Sequence, residues 1–498
     1  MFKIIVSLAG IQFLQAAVQV FKMKFVALML GPDGLGVISL INQFVQLVIQ
    51  VSTLALPWVA TRFMAVAHSH GPESFERKVR VFFRGILYLS LTGMAIAAIM
   101  IWKFDYLLAT GFQTYRFLAL ISVSMVVPVA LKGFLLSVFS TAGKYRFSAI
   151  TMFWNAAIGA GAMLAGAYFS GLHGFFIAQA VVEYLTVAFC LARLASELGV
   201  KKLTGKVDIF KELKALEGSL ELIIYGSLLY FLAPSALMAV RYSLLKAGGE
   251  QLVGVYQAVH GLAIYITFAL GQATSLYLDP ILKRDIPLEE KLAISNQYLR
   301  KISLIIGALM AWVVVFPEFF LQLLYSKAFL SGAGFLFAFM LIEAINLISG
   351  VYIGVLVGQS WYRTHFVLGL IVHVSIGLLS LFIAPMWGIW GIALAFAVGA
   401  VATIAIIYAR LFWHCGNFIS RKEILVPSFM VFFLGAAGFY ISGFNQFASR
   451  FSDSLPVRFF LILIFLITNW LMLSTDEKRI FFGFCRSVFK RRQEVKQA

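Results

Sequence analysis

Apolar stretches of about 20 residues, each long enough to cross a hydrocarbon core of about 30 Å, recur from one end of this 498-residue chain to the other. No long polar segment separates them. With 61% hydrophobic and 12% charged residues, the chain could not surface a water-soluble fold of this length. In a bilayer the backbone of each such run must satisfy its own hydrogen bonds, so the runs read as helices. The sequence predicts an all-α integral membrane protein of about 14 transmembrane helices. The spans are placed at roughly 4–30, 35–66, 82–102, 117–140, 147–169, 174–192, 219–245, 251–279, 302–324, 334–357, 365–384, 388–410, 425–441 and 457–473.

The net charge of +18 could suggest a nucleic-acid partner, but most cations gather in alternate short loops and in the tail Lys478–Lys496. That asymmetry orients the chain with both termini in the cytoplasm and suits contact with anionic lipid, so no nucleic acid is expected. The opposite loops, such as GPDGLG, KAGGEQ and APMWG, are too short to form a catalytic domain. Lys3 gives only a weak basic start and no cleavage site follows, so the first helix is expected to stay. Cys190, Cys415 and Cys485 show no metal-ligand spacing, and neither metal nor cofactor is expected. There is no Walker A loop, no G-x-S-x-G and no His/Cys cluster, which argues against an ATPase, a hydrolase or any other enzyme.

An internal repeat emerges from three ordered matches. Gly36-Val37 and Gly254-Val255 stand 218 residues apart; Tyr145-Arg146 and Tyr362-Arg363 stand 217 apart, as do Gly171 and Gly174 from Gly388 and Gly391. Six spans per repeat is an even number, so the halves enter from the same side and are related by an axis along the membrane normal. The expected organisation is a six-helix lobe over 1–192, a Lys-rich cytoplasmic linker over 193–218 and a second six-helix lobe over 219–411. An additional helix hairpin over 412–473 and a basic tail over 474–498 follow.

Two early spans carry polar stripes. On a helix turning 100° per residue, Gln12, Gln15, Gln19 and Lys22 fall within an arc of about 80°, and Gln43, Gln46 and Gln50 repeat the same spacing beside Asn42. Interhelical amide bonds worth about 1 kcal/mol each could account for some of them, but so many polar groups on two neighbouring helices favour a water-filled cavity. A cation facing hydrocarbon costs about 3 kcal/mol or more, so Lys22 is expected to face the bundle interior. Lys24, about 200° away, is a second cavity candidate, with snorkelling or pairing to a neighbour as its other reading. The repeat offset carries Arg241 back to position 23, between the two lysines, so the second lobe has a cation at matching depth. Two cations across a pseudo-twofold suit a dianionic or pyrophosphate group. His260 shares a face with Tyr256, Thr267 and Thr274, either toward the cavity or as a satisfied core histidine. Glu343, near mid-membrane, is the candidate for proton or sodium coupling. For Lys132, Glu183 and His373, the sequence does not say whether they face the cavity.

The two-lobe pattern, LGPDGLGVISLINQF and MAVRYSLLKAGGEQLVGVYQAV resemble the polysaccharide transporters, the Wzx-type O-antigen flippases of the multidrug/oligosaccharidyl-lipid/polysaccharide (MOP) exporter superfamily. The resemblance covers the whole chain. It implies a flippase of the bacterial inner membrane that moves an undecaprenyl-pyrophosphate-linked oligosaccharide, with spans 1, 2, 7 and 8 around a cationic cavity. Lys22 and Arg241 would hold the pyrophosphate, and Gln12, Gln15, Gln19, Gln43, Gln46 and Gln50 would meet sugar hydroxyls. A polysaccharide polymerase and chain-length proteins are the further partners it implies. Fourteen spans match lipid II flippases, whereas many O-antigen flippases have twelve. The rival readings are a cation-coupled multidrug exporter of the same superfamily, which would need carboxylates in its cavity, and a membrane scaffold for glycan assembly.

Overall fold

The computed structural model describes residues 2–54, 56–103, 115–198, 220–282, 286–359, 361–416, 421–441 and 455–472; the side chain of Gln12, most of the linker and the basic tail lie outside the described residues. Every element among them is helical: α1 (Phe2–Thr53), α2 (Leu56–Ser69), α3 (Pro72–Lys103), α4 (Arg116–Ser124), α5 (Val126–Thr141), α6 (Tyr145–Leu198), α7 (Leu220–Leu282), α8 (Leu288–Val315), α9 (Pro317–Leu324), a 3₁₀ turn (Lys327–Gly332), α10 (Ala333–Gly358), α11 (Tyr362–Trp387), α12 (Ile389–Cys415), α13 (Arg421–Ile441) and α14 (Leu455–Met472). Nine helical stretches among the described residues are long and apolar enough to cross a membrane. Phe169, Phe382 and Phe432 stand outward and exposed, as they can only where the surroundings are apolar.

Three of the long helices are broken by a glycine. In α1 the chain turns at Gly31 (φ 66°, ψ −171°) and Pro32 begins the next segment; in α7 it turns at Gly249 (φ 70°, ψ −168°). In α6 the break falls at Gly171 (φ 58°, ψ −137°), and Gly388 adopts nearly the same angles between α11 and α12 (φ 55°, ψ −131°). Gly31 and Gly249 are 218 residues apart, and Gly171 and Gly388 are 217 apart. The turn after α5 is closed by Lys144 N donating to Phe139 O, and the turn after α10 by Trp361 N donating to Leu356 O, again 217 apart and both 2.9 Å. Backbone geometry thus recurs at the offset of the three sequence matches.

The spans differ from their sequence placement where polar or β-branched residues invite a break. The second expected span, 35–66, is interrupted at Leu54 (φ 49°), whose freed carbonyl accepts from Ser227 Oγ at 2.9 Å. The fourth, 117–140, divides at Met125, and the ninth, 302–324, at Phe316 ahead of Pro317. The main packing interface lies between α1 and α7, and α13 and α14 lie against α8. That last junction is filled by Phe429, Phe433 and Phe465, with Arg458 bonded to Glu318 of α9 at 2.6 Å.

Candidate functional site

The interface between α1 and α7 supplies both a tight seam and, beyond it, a polar cavity. At the seam the segments that follow Gly31 and Gly249 touch backbone to backbone. A Cβ on Gly36 would strike the carbonyl of Glu250, and a Cβ on Gly254 would strike the carbonyl of Pro32. One turn further in, Ser39 Oγ donates to Gln257 Oε1 at 2.7 Å, a pair that is itself 218 residues apart. Arg241 lies across this pair. Its Nε donates to Ser39 Oγ at 2.7 Å, its Nη2 to Gln257 Oε1 at 2.9 Å and its Nη1 to Leu237 O at 3.1 Å. The guanidinium is also 5.8 Å from the ring centre of Tyr256.

Past that triad the helices border a half-open cavity of about 240 Å³. Its polar wall comprises Gln19 and Lys22 from the first segment of α1, Ser39, Asn42, Gln43 and Gln46 from the second, Gln179 from α6, and Arg241, Gln257 and Tyr265 from α7. Met23, Leu35, Ile38, Met163 and Phe175 complete it, and no carboxylate is among these lining residues. Gln43 Nε2 donates to Pro234 O at 3.1 Å and Gln179 Nε2 to Asn42 Oδ1 at 3.3 Å, while Gln179 Oε1 is buried without a partner. Arg241 is 8% exposed, and all its acceptors are neutral. Among the described residues Lys22 has neither a salt-bridge nor a hydrogen-bond partner. The wall therefore offers two cations that form no salt bridge and several amides, a set that can take an anion and hydroxyl groups; the carboxylate whose field reaches Lys22, Glu183, is already paired with Lys132.

Of the residues singled out in the sequence, Gln19, Lys22, Gln43, Gln46 and Arg241 are brought together here. Gln15 and Gln50 are half-buried and do not line the cavity. Lys24 turns away and donates to Gln322 O at the end of α9, 2.7 Å, where a cation meets the unsatisfied carbonyls of a helix terminus. His260 corrects the cavity reading. It is 6% exposed, stacked on Tyr256 at 5.1 Å, packed against Phe339 and Phe396, and its Nδ1 lies 3.1 Å from Tyr256 Oη, so it is a satisfied core histidine. Glu343 is away from the cavity lining; it accepts from Thr267 Oγ1 at 2.9 Å and from Asn346 Nδ2 at 3.2 Å. Lys132 and Glu183 pair with each other, Nζ to Oε1 at 2.7 Å, and His373 is half-buried outside the lining.

Sequence reasoning missed Ser39, Gln257, Gln179 and Tyr265. The repeat could have revealed the first two, since each follows its matched glycine by three residues. Gln179 and Tyr265 belong to no polar stripe and gave no signal.

The same arrangement of helices is found in solved transporters. The structure titled "Lipid II flippase MurJ, inward closed conformation" matches over 96% of this chain and 100% of that one, with a TM-score of 0.68 at 14% identity. An inward-facing multidrug resistance MATE family transporter of the MOP superfamily matches over 80% and 94%, with a TM-score of 0.60 at 17% identity. The fold is that of the MOP transporters. A third MOP structure, from Pyrococcus furiosus, matches over 82% and 95% with a TM-score of 0.56 at 15% identity; its title ascribes a different function to that transporter from the reverse polarity of its binding pocket. No protein-family model and no curated protein matches the chain in sequence.

Proposed function

We propose that the protein is a flippase that moves a polyprenyl-pyrophosphate-linked oligosaccharide, an O-antigen or similar surface-polysaccharide unit, between the leaflets of a bacterial inner membrane. The observation that carries this reading is the charge of the cavity wall: Lys22 and Arg241 face it without a salt bridge, no carboxylate lines it, and Glu183, whose field reaches Lys22, is itself paired with Lys132. A cationic drug would meet repulsion there, whereas a pyrophosphate can take both cations, with Arg241 gripping it in bidentate fashion. Gln19, Asn42, Gln43, Gln46 and Gln179 supply the paired donors and acceptors that sugar hydroxyls require.

The cavity of about 240 Å³ is smaller than the ~300–1,000 Å³ of pockets that enclose drug-sized ligands. It has room for a head group, the rest of the ligand extending through its open side, and translocation has the two lobes, 1–192 and 219–411, rock about the seam. With both termini in the cytoplasm, the end marked by Gly31 and Gly249 is periplasmic. Glu343, a carboxylate held by two neutral donors, is the proposed place for a coupling proton or sodium ion. Replacing Lys22 and Arg241 together with alanine should abolish delivery of the lipid-linked glycan to the periplasmic face. Full delivery by the double variant at normal abundance would remove the role assigned to them.

A further inference from the structure

The residues that face the proposed anion also hold the seam shut. Two levels of contact run inward from Gly31 and Gly249: a reciprocal backbone crossing of Pro32 with Gly254 and Gly36 with Glu250, then Ser39 with Gln257. The first gives a close fit but carries no hydrogen bond across it. The second is polar, and Arg241 is its centre, with Nε on the hydroxyl from α1 and Nη2 on the amide from its own helix. Beyond it Gln46 is already exposed to the cavity. Arg241 is therefore both a tie across the seam and part of the cavity wall, with Gln43 Nε2 to Pro234 O a further bond between the same helices one turn deeper.

The tie is made entirely of neutral acceptors. Three of the five guanidinium N–H groups are engaged, by a hydroxyl, an amide oxygen and a backbone carbonyl, and the charge itself is uncompensated. A phosphate oxygen is a stronger acceptor for guanidinium than any of these, and it offers two parallel bonds. An anion entering the cavity competes for the donors that now hold Ser39 and Gln257.

Granting the anionic substrate proposed above, we propose that Ser39, Gln257 and Arg241 form a releasable clasp: a phosphate-bearing ligand that takes the Arg241 guanidinium withdraws it from Ser39 and Gln257 and so loosens the seam as it loads the cavity. Ser39 and Gln257 are on this account positioning residues. They fix the guanidinium toward the cavity when it is empty and make seam opening depend on the ligand. Loading and opening are then one event, and an empty transporter stays closed at that end.

The test measures separation at that end with spin labels at Tyr168→Cys and Met386→Cys. Both positions are exposed, lie beside the breaks at Gly171 and Gly388, and are remote in sequence from the clasp. The full-length protein, with its native cysteines replaced, is reconstituted in liposomes and titrated with inorganic pyrophosphate, whose binding is measured in parallel by calorimetry. The clasp predicts a several-fold rise in the long-distance population on adding pyrophosphate. Gln257→Leu with Ser39→Ala should show that population without pyrophosphate. Gln257→Glu, which gives Arg241 a permanent counter-ion, should hold the short distance and weaken pyrophosphate binding several-fold. If pyrophosphate binds through Arg241 and the distances do not change, the clasp is overturned and the proposed substrate stands. If binding is absent, or survives Arg241→Ala undiminished, the substrate reading and the clasp fall together.

Discussion

Lys22 and Arg241 line one cavity from the segments that precede the turns at Gly31 and Gly249, yet what holds each side chain differs. Around them the backbone is paired: Gly31 with Gly249, Gly36 with Gly254, each with the same turn or the same close approach. The side chains are not. Arg241 is buried and held by three hydrogen bonds, whereas Lys22 reaches the cavity with no hydrogen bond or salt bridge among the described residues. The pairing is kept at the backbone crossing and given up among the side chains of the cavity wall. One cation is fixed by its hydrogen bonds and the other is not, a division that suits a planar fork and a flexible ammonium.

The paired glycines give the largest expected effect. Gly36→Ala and Gly254→Ala each place a methyl against a backbone carbonyl that cannot turn aside, so each should cost more than the ~1–3 kcal/mol of ordinary overpacking. Thermal unfolding in detergent should fall by similar amounts for both. A large drop for one and none for the other would break the pairing of the two segments.

Exchanging the cations separates their roles. Arg241→Lys keeps the charge but cannot reach Ser39, Gln257 and Leu237 O together, so transport should fall by about tenfold or more. Lys22→Arg, in a position without fixed partners, should keep most of the rate. Equal losses in a transport assay would show that the two positions are used alike.

The smallest effect is expected at Lys24. Its one bond, to Gln322 O, is at an exposed site, so Lys24→Ala should cost about 1 kcal/mol or less and leave transport near wild type. A transport loss matching that of Lys22→Ala would place Lys24 at the ligand instead.

The membrane class was legible in the apolar runs, and the recurring offset in matched residues of which Gly171 and Gly388 share a positive-φ turn and Gly36 and Gly254 a close backbone approach. The stripe of Gln19 and Lys22 was legible from helical periodicity alone. His260 shows the limit of that method. Its face was read correctly as shared with Tyr256, but what covers the face comes from Phe339 and Phe396 on other helices. Gln257 was hidden for a related reason, since a single amide on an apolar face becomes conspicuous only when Ser39 and Arg241 meet it across the seam. The breaks at Leu54 and Phe316 escaped because hydropathy does not report where one apolar run divides into two helices.

The cationic cavity as a glycan-lipid site is the claim on which the rest depends, and liposomes containing the purified full-length chain test it directly. A fluorescent polyprenyl-pyrophosphate oligosaccharide should move between leaflets, ethidium should not be carried, and Lys22→Ala with Arg241→Ala should stop the lipid. Transport of ethidium without the lipid, or lipid movement at the wild-type rate in the double variant, would contradict it.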